Sequence, residues 1–273
     1  MALLFLLSHQ RSGSHFLKSA LDRCNSGSGQ FLALPEVFTP GIAAMGPQFK
    51  DWLFEPFHNE RLVRDPLKWG TPQGIAETAA SFIDHLEEKS RDITVLADIK
   101  LNQLHIGEGW YHQTTTPPKL IDQMLARGKV IFLQRRNLVR AIVSALQATK
   151  TGIWHVESKD AGTPVMIRID DISGFLFHLE HLHRGLVEAD KWLAGHPSVH
   201  RVYYEDLFSA GTLEAIPQAF DDIADFAEIR RAAAWKSSFR KIGTRPLSDV
   251  VANFDDLRAK ILPTKYAARV AEE

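Results

Sequence analysis

Residues 3–17 read LLFLLSHQRSGSHFL, and the order of their chemistry decides the fold. Ala2 to Leu7 is an unbroken apolar run with the length of a buried strand. Ser8-His9-Gln10-Arg11-Ser12-Gly13-Ser14 is a short polar loop. Phe16, Leu17, Ala20 and Leu21 then recur at i, i+1, i+4 and i+5, the stripe of an amphipathic helix. A strand, a tight loop and a helix start aim several backbone N–H groups and the positive end of a helix dipole at one spot, which suits an anion. Gly13 admits close backbone approach. Ser12 and Ser14 add hydroxyl donors, and Arg11 adds a permanent charge with a two-pronged fork. The same residues would also make an ordinary strand-to-helix turn with a capping serine, so the loop by itself does not decide function.

Working outward, apolar segments alternate with amphipathic ones. Phe31 to Leu34 reads as a strand stopped by Pro35-Glu36. Thr71-Pro72 opens a helix with Ile75, Ala79, Phe82, Ile83 and Leu86 on one face. Ile93 to Ala97 reads as a strand ending at Asp98-Ile99-Lys100. Pro117-Pro118 precedes a helix through Leu120, Ile121, Met124 and Leu125, closed by Gly128. Val130 to Leu133 is a strand running into Gln134-Arg135-Arg136-Asn137, followed by a helix over 138–150. A long helix is expected over 171–194, a fifth strand over Val199 to Tyr203, and helices thereafter, broken by the basic loop Phe239 to Gly243. The scattered aromatics of 39–64 read as one or two short surface helices. This alternation predicts an α/β fold with a parallel sheet of about five strands flanked by helices. It is expected as one domain over 1–273, with helical or loop insertions near 39–90 and 152–170. Ligands in such sheets sit at the carboxyl ends of the strands. That rule brings the Gln10-to-Ser14 loop, Glu36, Asp98 with Lys100, Arg135-Arg136 and Tyr204-Glu205 to one rim.

Composition narrows the classes. The chain has 273 residues, 45% hydrophobic and 24% charged, an ordinary globular mixture with enough length for a sizeable core. A net charge of −1 argues against nucleic acid as a bulk partner, so any basic site is local. Cys24 is the only cysteine, which rules out an internal disulfide and a thiolate metal cluster. The N-terminal apolar run lacks the basic flank and cleavage site of a signal peptide, and no stretch approaches the ~18 apolar residues of a membrane span. A cytoplasmic protein is the expectation. His178, His181 and His183, at i, i+3 and i+5, do not share one helical face, so no metal is expected there.

Four segments, in order from Arg11 to Gly243, together resemble the sulfotransferases that use 3′-phosphoadenosine 5′-phosphosulfate. That family carries a basic-Ser-Gly-Thr-Thr loop after its first strand for the 5′-phosphosulfate. Here it stands as Arg11-Ser12-Gly13-Ser14-His15, with Gln10 and Phe16 flanking it. The family's strand-then-arginine motif, with a serine eight residues on, is matched by Arg136 and Ser144 and implies a 3′-phosphate site. A Tyr-Glu-Asp-Leu segment whose tyrosine lies near the adenine is matched by Tyr204 to Leu207. A late basic loop on the 3′-phosphate is matched by Arg240, Lys241 and Gly243, with Ile242 interrupting it. Gln147 to Trp154 is similar to the bacterial branch acting on trehalose and related sugars. In that branch a glutamate after the second strand is the base, and Glu36 stands there, with His9 as its rival. Two departures are Arg11, where the cytosolic branch has lysine, and His15 in place of a threonine.

The resemblance implies a P-loop-kinase-like sulfotransferase fold and a donor substrate, 3′-phosphoadenosine 5′-phosphosulfate, used without metal. The acceptor would be a hydroxyl compound, with a carbohydrate favoured; oligomeric state is left open, a homodimer included. Arg11 would stabilise the oxygen that gains charge as the nucleotide leaves, and Glu36 would take the acceptor's proton. Two alternatives are a magnesium-dependent P-loop phosphotransferase, with Asp98 toward the metal, and a non-catalytic nucleotide binder. Against the first, the loop lacks the Gly-x-x-x-x-Gly-Lys-Ser/Thr pattern.

Overall fold

The computed structural model describes residues 2–25, 29–37, 72–104, 118–154, 165–207, 217–237 and 245–271. Its elements run β1 (Leu3–Ser8), α1 (Ser14–Asn25), β2 (Phe31–Glu36), α2 (Pro72–Lys89), β3 (Thr94–Lys100), α3 (Lys119–Arg127) and β4 (Lys129–Gln134). They continue with α4 (Leu138–Thr151), α5 (Ile172–Trp192), β5 (Val199–Tyr203), α6 (Pro217–Ala227), α7 (Phe254–Ile261) and α8 (Ala268–Ala271). The five strands form one parallel sheet in the order β2-β3-β1-β4-β5. The α/β class and the five-stranded parallel sheet expected above are both observed.

The alternation of side chains along a strand sorts β1 into two cores. Leu3, Phe5 and Leu7 join Phe82, Ile83 and Leu86 of α2, Ile121 and Met124 of α3, Val139 and Ile142 of α4, and Phe175 and Leu179 of α5. Leu4 and Leu6 face the other way, onto Leu17, Ala20 and Leu21 of α1 and Phe220, Ile223 and Ala224 of α6. Every residue of β1 is buried, as a strand covered on both faces must be. The α2 helix is the crossover from β2 to β3, so that part of the 39–90 segment belongs to the sheet's own winding.

Local chemistry sets most boundaries. Asn137 caps α4 by accepting from the Arg140 N–H at 3.0 Å, and Gly152 ends it in the left-handed region at φ +70°. Asp171 caps α5 through the Gly174 N–H at 2.8 Å. Two strands run longer than the sequence pattern suggests. β2 continues past Pro35 to Glu36 with a register shift between Ala33 and Glu36. β3 continues through Asp98, Ile99 and Lys100 because β1 pairs it to the end, Leu6 opposite Asp98 and Ser8 opposite Lys100. Residues 229–237 depart from the expected helix and run without one, anchored by Trp235, whose indole N–H donates to Asp221 at 2.9 Å. The helices expected over 39–64 lie outside the described residues.

Leaving β1 the chain travels to β2 on one side of the sheet, and leaving β4 it travels to β5 on the other. β1 and β4 are therefore adjacent strands whose connections diverge, and the crevice at their carboxyl ends is where such a sheet binds ligands.

Candidate functional site

The loop between β1 and α1 occupies that crevice. Arg11 sits in the left-handed region at φ +61°, a conformation that costs an ordinary residue about 1–2 kcal/mol. Its neighbours hold it there. Arg135, at the end of β4, donates from Nη1 to the Arg11 carbonyl at 3.0 Å. The Arg11 guanidinium donates from Nε (3.1 Å) and Nη2 (2.8 Å) to Ser144 Oγ, and from Nη1 to the Trp154 carbonyl. Burial, with Arg135 next, draws the Arg11 proton affinity below its ordinary value.

Gly13 is required twice over. Its φ is +89°, and a Cβ there would meet Tyr204 Cδ2 at 2.3 Å. Tyr204 is buried, its ring lying under the Arg135 guanidinium at 4.8 Å. Here the tyrosine props the loop, its ring packed against Gly13 and Arg135. Among the described residues, two buried polar atoms of this loop find no hydrogen-bond partner: His9 Nε2 and Ser12 Oγ. His9 gives its Nδ1 to the Gln10 carbonyl at 2.6 Å, which assigns the proton to Nδ1 and leaves Nε2 as an acceptor. Burial, followed by Arg135 and Lys100, lowers the His9 pKa from 6.5 to about 4, so the ring is neutral at pH 7.

Beneath the loop lies a charged network within the sheet. Asp98 and Lys100 are two residues apart on β3 and so face the same side, under the first turns of α1. Lys100 Nζ donates to Asp98 Oδ1 at 2.7 Å, to Ser14 Oγ at 2.7 Å and to Ser8 Oγ at 3.2 Å, and lies 3.6 Å from Glu36 Oε1. Lys18 on α1 reaches the other Asp98 oxygen at 3.1 Å. Asp98 is fully buried and Lys100 is 1% exposed. Burial alone would push the Asp98 carboxyl up, but Lys100 and Lys18 together hold it below the usual range. Among the described residues, Arg11, Lys18, Lys100 and Arg135 gather around the loop with Asp98 and Glu36. A cluster of cations at a strand-to-helix loop is chemically suited to an anion.

The other expected anion site is wired differently. Arg136 meets Asp206, not Ser144. Its Nη1 and Nη2 donate to Asp206 Oδ1 (2.5 Å) and Oδ2 (2.7 Å), and the guanidinium lies 4.1 Å over the Tyr203 ring. Glu205 accepts from the Arg136 N–H at 3.0 Å and the Asn137 N–H at 3.1 Å. Helical spacing does not join Arg136 to Ser144 because Arg136 precedes the Asn137 cap and leaves toward β5, while Ser144 faces Arg11.

The remaining expected site residues fall into place as follows. Ser12 is buried, Gln10 is exposed, and His15 is partly buried beside the network. The Phe16 side chain belongs to the core, edge-on to Phe220. Arg240, Lys241 and Gly243 lie outside the described residues. The sequence reading gave Lys18 no role, placed Lys100 only at a strand end, and gave Asp98 a role only as the metal ligand of the phosphotransferase alternative. A lysine two residues after an aspartate at the end of an apolar strand was the available signal.

Among the described residues, His15, Glu36 and Asp98 place one ligand atom each within 4.8 Å of one another, a spacing open to a metal ion. Lys100 already presents its ammonium to both carboxylates of that group, so a divalent ion would have to displace it. No helix among the described residues is long and apolar enough to cross a membrane. No protein-family model and no curated protein matches the chain. Among solved structures, a shikimate kinase from Acinetobacter baumannii in complex with shikimate is similar over 82% of this chain and 89% of that one, at 15% identity and a TM-score of 0.32. A likeness that distant adds nothing to what the sheet itself shows.

Proposed function

We propose that this chain is an enzyme that binds a nucleotide by its charged end and passes a sulfuryl group to a hydroxyl acceptor, with 3′-phosphoadenosine 5′-phosphosulfate as donor. The observation that carries the reading is the seat of Lys100. In a phosphate-loop kinase, a loop hydroxyl and a strand-end aspartate hold magnesium. Here the matching pair, Ser14 Oγ and Asp98 Oδ1, is bridged by the Lys100 ammonium at 2.7 Å to each. A built-in monovalent cation suits transfer of a group that carries less charge than a terminal phosphate.

In the proposed reaction the acceptor oxygen forms a bond to sulfur as the bond from sulfur to the 5′-phosphate oxygen breaks. The leaving bisphosphate keeps that electron pair, and Arg11 with the loop N–H groups would stabilise it. Glu36, with its side chain 21% exposed beside Lys100, would take the acceptor's proton. His9 is the rival base, its Nε2 buried and without a hydrogen-bond partner among the described residues. The motif resemblance supports a carbohydrate acceptor. A magnesium-dependent phosphotransferase is the second reading, favoured by the His15, Glu36 and Asp98 cluster if Lys100 gives way.

A panel of hydroxyl acceptors with labelled donor tests the proposal. Wild type should label a sugar, and Glu36→Gln should cut turnover by about 10²–10⁴ with donor affinity kept. Transfer that survives in Glu36→Gln and vanishes in His9→Asn would move the base to His9. No transfer from this donor to any acceptor, with turnover of ATP and magnesium, would favour the second reading.

A further inference from the structure

Asp206 has no part in the reading above, yet it occupies the fork that reading needs. Its two oxygens accept from both terminal nitrogens of Arg136, and the guanidinium lies over the Tyr203 ring at 4.1 Å. The neighbouring Glu205 carboxylate takes the backbone N–H groups of Arg136 and Asn137. The 204–207 turn thus lays two carboxylates where β4 passes into α4. Both members of the Arg136–Asp206 pair stand in water, their side chains 40% and 51% exposed. An exposed pair of this kind is weak and exchangeable. A phosphate monoester brings up to twice the charge of a carboxylate and three acceptor oxygens to the same fork.

We propose that Asp206 is an internal competitor for the Arg136 fork: it holds the guanidinium when no nucleotide is bound, yields it to a nucleotide's second phosphate, and takes it back as the bisphosphate product leaves. Asp206 is a positioning residue in this account, acting through Arg136. The inference rests on the reading in which Arg136 meets the 3′-phosphate. Its consequence is one-sided. Asp206 weakens binding of any ligand that must displace it and leaves a nucleotide without the second phosphate untouched.

Calorimetry with adenosine 3′,5′-bisphosphate and adenosine 5′-monophosphate decides it, using wild type, Asp206→Asn, Arg136→Ala and the double variant. Asp206→Asn should bind the bisphosphate about five- to tenfold more tightly, with monophosphate affinity unchanged. The gain should vanish when Arg136 is alanine. Weaker bisphosphate binding in Asp206→Asn, or an equal change for both nucleotides, would overturn the proposal and make Asp206 a support for the arginine or the turn. Wild type that binds both nucleotides alike would instead bring down the donor reading, and this inference with it.

Discussion

Two assemblies of cations and carboxylates sit along one edge of this sheet, and water separates their behaviour. In the inner one, Lys100 and Lys18 share Asp98 beneath the β1–α1 loop, with Asp98 0% and Lys100 1% exposed. In the outer one, Arg136 grips Asp206 at the surface. The outer contacts, at 2.5 and 2.7 Å, are no longer than the inner ones, at 2.7 and 3.1 Å. The inner assembly, once folded, cannot trade partners, because each ion was stripped of water and any loss strands a charge. The outer one can trade, because water screens whatever is left behind. A buried network therefore suits a fixed electrostatic floor for an anion, and an exposed pair suits a fork that opens and closes.

The largest effect expected from this contrast is on stability. Lys100→Met leaves Asp98 with Lys18 alone in a dry site and should cost about 3–5 kcal/mol in denaturant unfolding. Arg136→Ala, which breaks a contact just as short, should cost about 1 kcal/mol or less. Equal costs would mean that the two assemblies do not differ in the way their exposure implies.

Next in size is a dependence on pH. The His9 pKa falls from 6.5 unfolded to about 4 folded. Between those values the unfolded chain binds a proton that the native chain refuses, so stability declines as pH drops from about 6.5 toward 4, by about 3 kcal/mol for the full shift. Above that window the histidine contributes no slope. Asp98, held low by its lysines, adds a loss in the same direction at still lower pH. Urea titrations at several pH values should show the decline in wild type and a flatter curve in His9→Asn. An unchanged slope in that variant would assign the titration elsewhere.

How much was legible beforehand follows from the range of the interactions. The strand, loop and helix of residues 3–17 are local, and periodicity alone places them. So are the caps at Asn137 and Asp171 and the stop at Gly152. The site is legible only in outline. Glu36 does come to the carboxyl edge of the sheet beside Lys100, at 3.6 Å. The Asp98, Lys100 and Lys18 network depends on the register of β3 against β1 and on the seating of α1, partners separated by up to 92 residues in sequence. The family motif sets Ser144 with Arg136 at one phosphate, yet the loop's Arg11 holds Ser144, since Arg136 lies before the helix begins. Tyr204, which the resemblance sets near the adenine, fills the space that Gly13, lacking a Cβ, leaves open. In each case a neighbouring strand decides what a local pattern leaves undetermined.

The central claim, that side-chain cations stand in for a metal around this loop, is tested most directly by thermal unfolding with nucleotides in excess chelator. Adenosine 3′,5′-bisphosphate should raise the Tm with no divalent ion present, and added magnesium should not increase the shift. A protein that ignores the bisphosphate in chelator and is stabilised only by ATP with magnesium would contradict the account.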